Sequence, residues 1–227
     1  MTVKIKEYIA TFFPGLILRP SLYHQWDIGI HFELAAEGMY QFTDDGELNM
    51  NRFRCVYTQA ISIFNELFGE KDEVYLVTNV YASKSSRKRG RPNIYDRFVK
   101  NKSLKFNVML ESLPYVFPDE DDANQYYTSR YSLKCRKYDL DYRRIAQAAC
   151  NEDFPSLRPR FSAKYFLYYP DVFFVNATKN VILFIYDDRG CEVVATEKER
   201  IRPIYEKYRD LISEYDRERA ERLFDDV

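Results

Sequence analysis

The chain has 227 residues, 46% of them hydrophobic and 30% charged, which supplies a buried core and excludes a disordered tail. Lys plus Arg total 34 and Asp plus Glu 35, a net charge of −1, so neither an overall basic nucleic-acid coat nor a polyacidic mimic fits. Glycine-rich phosphate loops need glycines within about five positions of each other, and the closest two of the seven glycines, Gly38 and Gly46, are eight apart.

Residues 3–12 read as a short helix stopped by Pro14 and Gly15. Ile28, Ile30, Phe32 and Leu34 alternate with Gly29, His31 and Glu33, the pattern of a half-buried strand. Over 52–68, Phe53, Val56, Tyr57, Ala60, Ile61, Phe64, Leu67 and Phe68 recur at helical spacing, with Asn51 as cap and Gly69 as stop. Residues 73–81 are apolar on both faces, as a central strand requires. Further strands are expected where Leu104, Phe106, Val108 and Leu110 alternate with polar residues, and again over 130–136. Pro114 and Pro118 frame the acidic loop Asp119–Asp122. Asp139 or Asp141 can cap a helix running to about Cys150.

Three strands over 172–176, 181–186 and 191–195 form a meander with turns at Ala177–Asn180 and Asp187–Gly190. Thr196 and Glu199 have capping-box spacing, and Pro203 restarts a helix whose buried stripe is Ile204, Tyr208, Leu211, Ile212 and Tyr215. Helices and hairpins without strict alternation predict an α+β fold. The expected architecture is a mainly antiparallel sheet flanked by about four helices, in one domain over 1–227. The N-terminus lacks a signal-peptide pattern and no apolar run nears the ~18 residues of a membrane span. The expectation is a cytoplasmic protein without membrane contact. Its four cysteines, with no C-x-x-C pair, are then reduced and mostly buried.

Three constellations bear on function. His24 and His31 are the only imidazoles. His31 and Glu33 share one face of a strand, as in the H-x-E of zinc deaminases, but the P-C-x-x-C partner is missing. The bland reading is a polar pair on the wet face of a sheet. The second is the basic stretch with Arg87, Lys88, Arg89 and Arg91, whose core Arg89-Gly90-Arg91-Pro92 matches an AT-hook. Arginines on such an arm enter narrow minor grooves, and nine basic residues against one acidic between 84 and 105 would add phosphate contacts. The bland reading is a solvated loop. The third is Tyr186, Asp187, Asp188, Arg189 and Gly190. As structure it is a turn with Gly190 at positive φ. As chemistry, its paired carboxylates can hold a divalent ion or move a proton.

The run Ile185 to Val193 resembles a bacterial family of unknown function marked by the Tyr-Asp-Asp-Arg-Gly turn. Phe174-Val175-Asn176, Lys179 to Ile182, Tyr205 to Tyr208 and Glu214 to Arg217 carry the likeness on. Upstream it extends through Leu110 to Tyr115 and Ala149 to Pro155. The resemblance implies a bacterial cytoplasmic setting and supplies no activity, cofactor or metal. Three function classes follow. A non-catalytic protein-binding module, like an immunity protein or adaptor, leads, because histidine is scarce, no cofactor loop is present and tyrosine is abundant. Its charged faces would be Lys84–Arg91 and Asp119–Asp122. DNA binding through Arg89 and Arg91, and an enzyme using Asp187 and Asp188, are the alternatives.

Overall fold

The computed structural model describes residues 4–86, 90–162, 164 and 166–225. The fold is α+β, built on one seven-stranded sheet. The strands are β1 (Gly29–Glu33), β2 (Glu73–Ser83), β3 (Met109–Pro114), β4 (Tyr126–Arg136), β5 (Asp171–Asn176), β6 (Val181–Ile185) and β7 (Gly190–Ala195). Their order is β1-β7-β6-β5-β2-β4-β3, and every neighbouring pair is antiparallel. The helices are α1 (Ile5–Phe12), α2 (Leu22–Gln25), α3 (Met50–Leu67), α4 (Ile94–Phe98), α5 (Tyr142–Cys150), α6 (Arg202–Lys207) and α7 (Glu214–Phe224). Among the described residues no helix is long and apolar enough to cross a membrane.

Side chains alternate across a strand, and here both sets are apolar in the middle of the sheet. Val74, Leu76, Leu133, Phe174, Leu183, Val193 and Phe32 point to one face, beneath α3, α5 and the C-terminal helices. Tyr75, Val77, Phe173, Val175, Ile182, Phe184 and Val194 point to the other, beneath α1 and the segment Phe13–Leu22. On α3 the stripe Phe53, Val56, Ala60, Phe64 and Leu67 is buried as its spacing predicts. Phe64 lies flat against Phe68 and Tyr142, each with a centroid 4.4 Å away, and meets Phe174 edge-on at 4.9 Å. Burying one such ring contributes about 1.5–3 kcal/mol.

Several sequence expectations change. The α3 cap is Asn49, whose side chain accepts from the Arg52 N–H, because the helix starts two residues earlier than Asn51 allows. The strand expected around Leu104–Leu110 is instead a 3-10 turn over Lys102–Asn107 followed by β3. Asn101 Oδ1 accepts from both the Ser103 N–H and its hydroxyl, which bends the chain where extension was expected. Phe106 is left 92% exposed. The C-terminal helix is broken after Lys207 and restarted at Ser213, whose Oγ accepts from the Asp216 N–H. That break turns Tyr215 outward, 89% exposed. Glu199 forms no capping box and instead accepts from Arg202 Nε and Nη2, each at 2.8 Å. Cys135, Cys150 and Cys191 are buried, Cys55 is half-buried, and all four are free thiols. Burial pushes Cys135 up to about 12, which makes it a poor nucleophile.

A buried polar knot ties α3 to the β5–β6 turn. Asn176, fully buried, donates to the Leu67 carbonyl at 2.9 Å and to Asp72 Oδ2 at 2.6 Å. Its Oδ1 accepts from the Thr178 and Lys179 N–H groups, each at 3.0 Å. Asn176→Ala removes these hydrogen bonds, leaving the Leu67 carbonyl and Asp72 with Lys179 Nζ. We expect it to lower stability by about 1–3 kcal/mol, read by urea denaturation.

Candidate functional site

The Tyr186–Gly190 segment joins β6 to β7 and faces a cleft of about 850 Å³. The end of β1 (Glu33 to Glu37) and the break between α6 and α7 (Asp210 to Arg217) supply the other walls. The two carboxylates of the turn do not share a site, because successive residues diverge and each meets its own arginine. Asp188 Oδ2 accepts from Arg52 Nε at 3.1 Å and Nη2 at 2.7 Å, and both side chains are buried. Arg52 also donates to the Met39 carbonyl at 2.7 Å. Asp187 Oδ2 accepts from Arg189 Nε at 2.8 Å and also from Nη2, while Oδ1 takes the Arg189 N–H at 2.6 Å. Burial raises the Asp188 carboxyl above its ordinary range, and Arg52 works against that rise. Among the described residues no group of three or more His, Cys, Asp or Glu could hold a metal ion. Each carboxylate of the turn is hydrogen-bonded to an arginine.

Gly190 is not at positive φ, contrary to the turn expected from sequence; the positive-φ glycines are Gly15, Gly38 and Gly46. Its requirement is close approach. A Cβ there would overlap the Tyr186 hydroxyl and stand 2.5 Å from the Phe32 carbonyl oxygen.

That hydroxyl belongs to a chain of side chains that the sequence leaves scattered. Tyr186 Oη lies 2.8 Å from His31 Nε2, and His31 Nδ1 lies 2.7 Å from Asp216 Oδ2. Asp216 also accepts from Ser213 Oγ at 3.0 Å. With a neutral imidazole beside the carboxylate, Nδ1–H donates to Asp216 and Nε2 accepts the Tyr186 O–H. Burial, then Asp187, push the Tyr186 hydroxyl up, so it keeps its proton and is no ready nucleophile. The chain latches α7 and β1 to the β6–β7 turn. His31 is thus half-buried and bound rather than one of a wet polar pair, while Glu33 is exposed.

Of the basic segment, Arg87, Lys88 and Arg89 lie outside the described residues. Arg91 is exposed and Pro92 is buried. Gly90 packs on the protein: a Cβ there would stand 2.9 Å from the Phe166 ring, and Tyr131 Oη donates to its carbonyl at 3.4 Å. This end of the hook is seated rather than a free extended arm.

The segment lies beside β3, the outer strand of the sheet. Among the described residues β3 hydrogen-bonds to β4 alone. Apolar side chains stand open on both of its faces. Phe106 and Met109 line a groove of about 470 Å³ with Lys4, Tyr75 and Lys134. Leu110, 57% exposed, lines one of about 370 Å³ with Lys84, Tyr127 and Tyr131. Among the described residues neither groove has an acidic lining residue. The opposite edge, β1, is flanked by α7. There α7 brings Asp216 to His31 and buries Ala220 and Phe224 in the core beneath the other face.

A family model, Domain of unknown function (DUF3885), matches residues 5–216. The chain is similar to Uncharacterized protein YnaE of Bacillus subtilis (strain 168), 47% identical over 209 residues, 92% of this chain and 96% of that protein. No solved structure matches.

The two turn carboxylates separate in a denaturation series. Asp188→Ala leaves Arg52 buried without its partner and is expected to cost about 3–5 kcal/mol. Asp187→Ala frees Arg189, already 65% exposed, to water, and the loss is expected to be clearly smaller. Equal losses in guanidinium melts would contradict this assignment.

Proposed function

We propose that this chain, which belongs to the DUF3885 family, is a protein-binding module that takes an extended segment of a partner protein along the outer edge of β3. One observation carries the reading: among the described residues β3 has a hydrogen-bonded neighbour on one side only, and it exposes Met109 and Leu110 on opposite faces. An edge strand offers unpaired N–H and C=O groups that a second strand can complete. Pockets beside it then select alternate side chains of the added strand.

The chemistry of the grooves selects the partner. Lys4 and Lys134 flank one and Lys84 the other, with tyrosine rings in both. An extended segment with acidic and apolar side chains fits that lining, and the charge would speed its encounter. Natural proteins commonly protect an open edge with a covering element or inward charge, and α7 flanks the β1 edge. A β3 edge left uncovered and apolar is consistent with a surface kept for a partner.

A photo-crosslinking amino acid at position 110 tests this in the native host, with the same probe at exposed position 215 as control. The expected result is a discrete crosslinked partner from position 110 and none from 215. Met109→Asp and Leu110→Asp change exposed residues, so the circular dichroism spectrum should be kept while partner capture falls at least about tenfold. Equal crosslinking at both positions, or unchanged capture by both variants, would overturn the reading.

A further inference from the structure

A second pocket, of about 330 Å³, opens where β2 ends and β5 begins. Its floor and walls are aromatic. Tyr81, at the end of β2, is buried and meets Tyr115 edge-on, ring centroids 5.7 Å apart at 90°. Phe117 lies 5.8 Å from Tyr81 and 5.4 Å from Tyr115. Tyr168 closes the outer side, 6.4 Å from Tyr81 and 57% exposed. The backbone supports this wall, since the Leu167 N–H donates to the Tyr81 carbonyl at 2.9 Å.

The polar lining is of one sign. Glu120, Glu152 and Asp171 line the pocket, and among the described residues no Lys, Arg or His does. Two arginines stand just outside it, each already engaged. Arg19 lies over the Phe117 ring and donates to the Val116 carbonyl at 3.0 Å. Arg160 lies over Tyr169, donating to its hydroxyl and, at 2.8 Å, to the Glu152 carbonyl. Asp171 Oδ2 accepts from the Tyr81 hydroxyl.

Aromatic faces carry negative potential and hold ammonium groups through it, most strongly where water is excluded. Carboxylates alone would attract any small cation; a ring on several sides favours one that is bulky and weakly hydrated. We propose that this pocket binds a small organic cation, a quaternary or fully methylated ammonium group, against the exposed Tyr168 ring at its mouth, above the buried Tyr81 and Tyr115, with Glu152 and Asp171 supplying the countercharge.

The electrostatics agree with that placement. Burial pushes Glu152 up to about 8 and Asp171 up to about 7. Asp171, Asp153 and Asp187 add to the rise at Glu152 and Arg160 opposes it; the Tyr81 hydroxyl opposes the rise at Asp171. Near neutral pH both carboxyls are partly protonated. A bound cation favours their ionised forms, so binding expels protons and its affinity rises with pH between about 6 and 9.

Calorimetric titration with choline, set against its neutral isostere 3,3-dimethyl-1-butanol, tests the proposal. We expect choline to bind at least about tenfold more tightly than the isostere, the range that cation–π contact and countercharge together supply. Tyr168→Ala, at an exposed site, should weaken choline about tenfold, and Tyr168→Phe should restore it. Asp171→Asn should weaken choline and reduce the proton release. A peptide carrying trimethyl-lysine forms the second arm. Tighter binding of the peptide assigns the site to a methylated side chain, and tighter binding of choline assigns it to a free metabolite. The proposal is overturned if the isostere binds as well as choline, or if neither cationic probe binds at millimolar concentration. It is also overturned if Tyr168→Ala binds choline like the unchanged protein.

Discussion

Val181 to Ile185 is apolar at every position, and Val172 to Val175 in β5 is the same. A strand of that kind is stable only where both faces are covered. The rest of the chain is arranged around this demand. The helices α3 and α5 cover one face, and α1 with the segment to Leu22 covers the other. Covering two faces uses nearly all of the helical chain, and α7 flanks β1. Among the described residues, what remains uncovered is β3, at the far end of the sheet, where each residue is exposed or half-buried.

Buried polar groups then fix the pieces relative to one another. Arg52 holds the start of α3 to the β6–β7 turn, Asn176 holds its end to the β5–β6 turn, and His31 holds β1 and α7 to Tyr186. Each knot joins segments far apart in the chain. Each buried polar atom named in them has a partner, as a low-dielectric interior demands. The Tyr-Asp-Asp-Arg-Gly turn sits at the meeting point of two of these knots. Its carboxylates meet arginines, and its glycine makes room for a hydroxyl.

Elements with a strong single period were legible in the residues. The α3 stripe, the two-faced run of β2 and the three-strand meander lie where periodicity places them. Phe106 shows the limit of that reading. Alternation there was outweighed by one asparagine, Asn101, whose side chain folds the backbone into a tight turn. Tyr215 shows another, because Ser213 caps a new helix and resets the face that follows. The sites were much less legible. His31, Tyr186 and Asp216 come together across more than 180 positions, and no local pattern joins them. The cage around Tyr81 is hidden by abundance: with 20 tyrosines in the chain, none marks itself as a wall of a pocket. Much of the tyrosine excess is spent in the core, where Tyr8, Tyr75, Tyr95 and Tyr205 are buried.

The account rests on an asymmetry between the two edges of one sheet. Hydrogen exchange resolved by peptide measures it in the isolated protein and again with the crosslinked partner bound. We predict slow exchange across Gly29–Glu33 in both states. Met109–Pro114 should exchange fast in the isolated protein and become protected in the complex. Protection of Met109–Pro114 in the isolated monomer, or an unchanged rate there in the complex, would contradict the account.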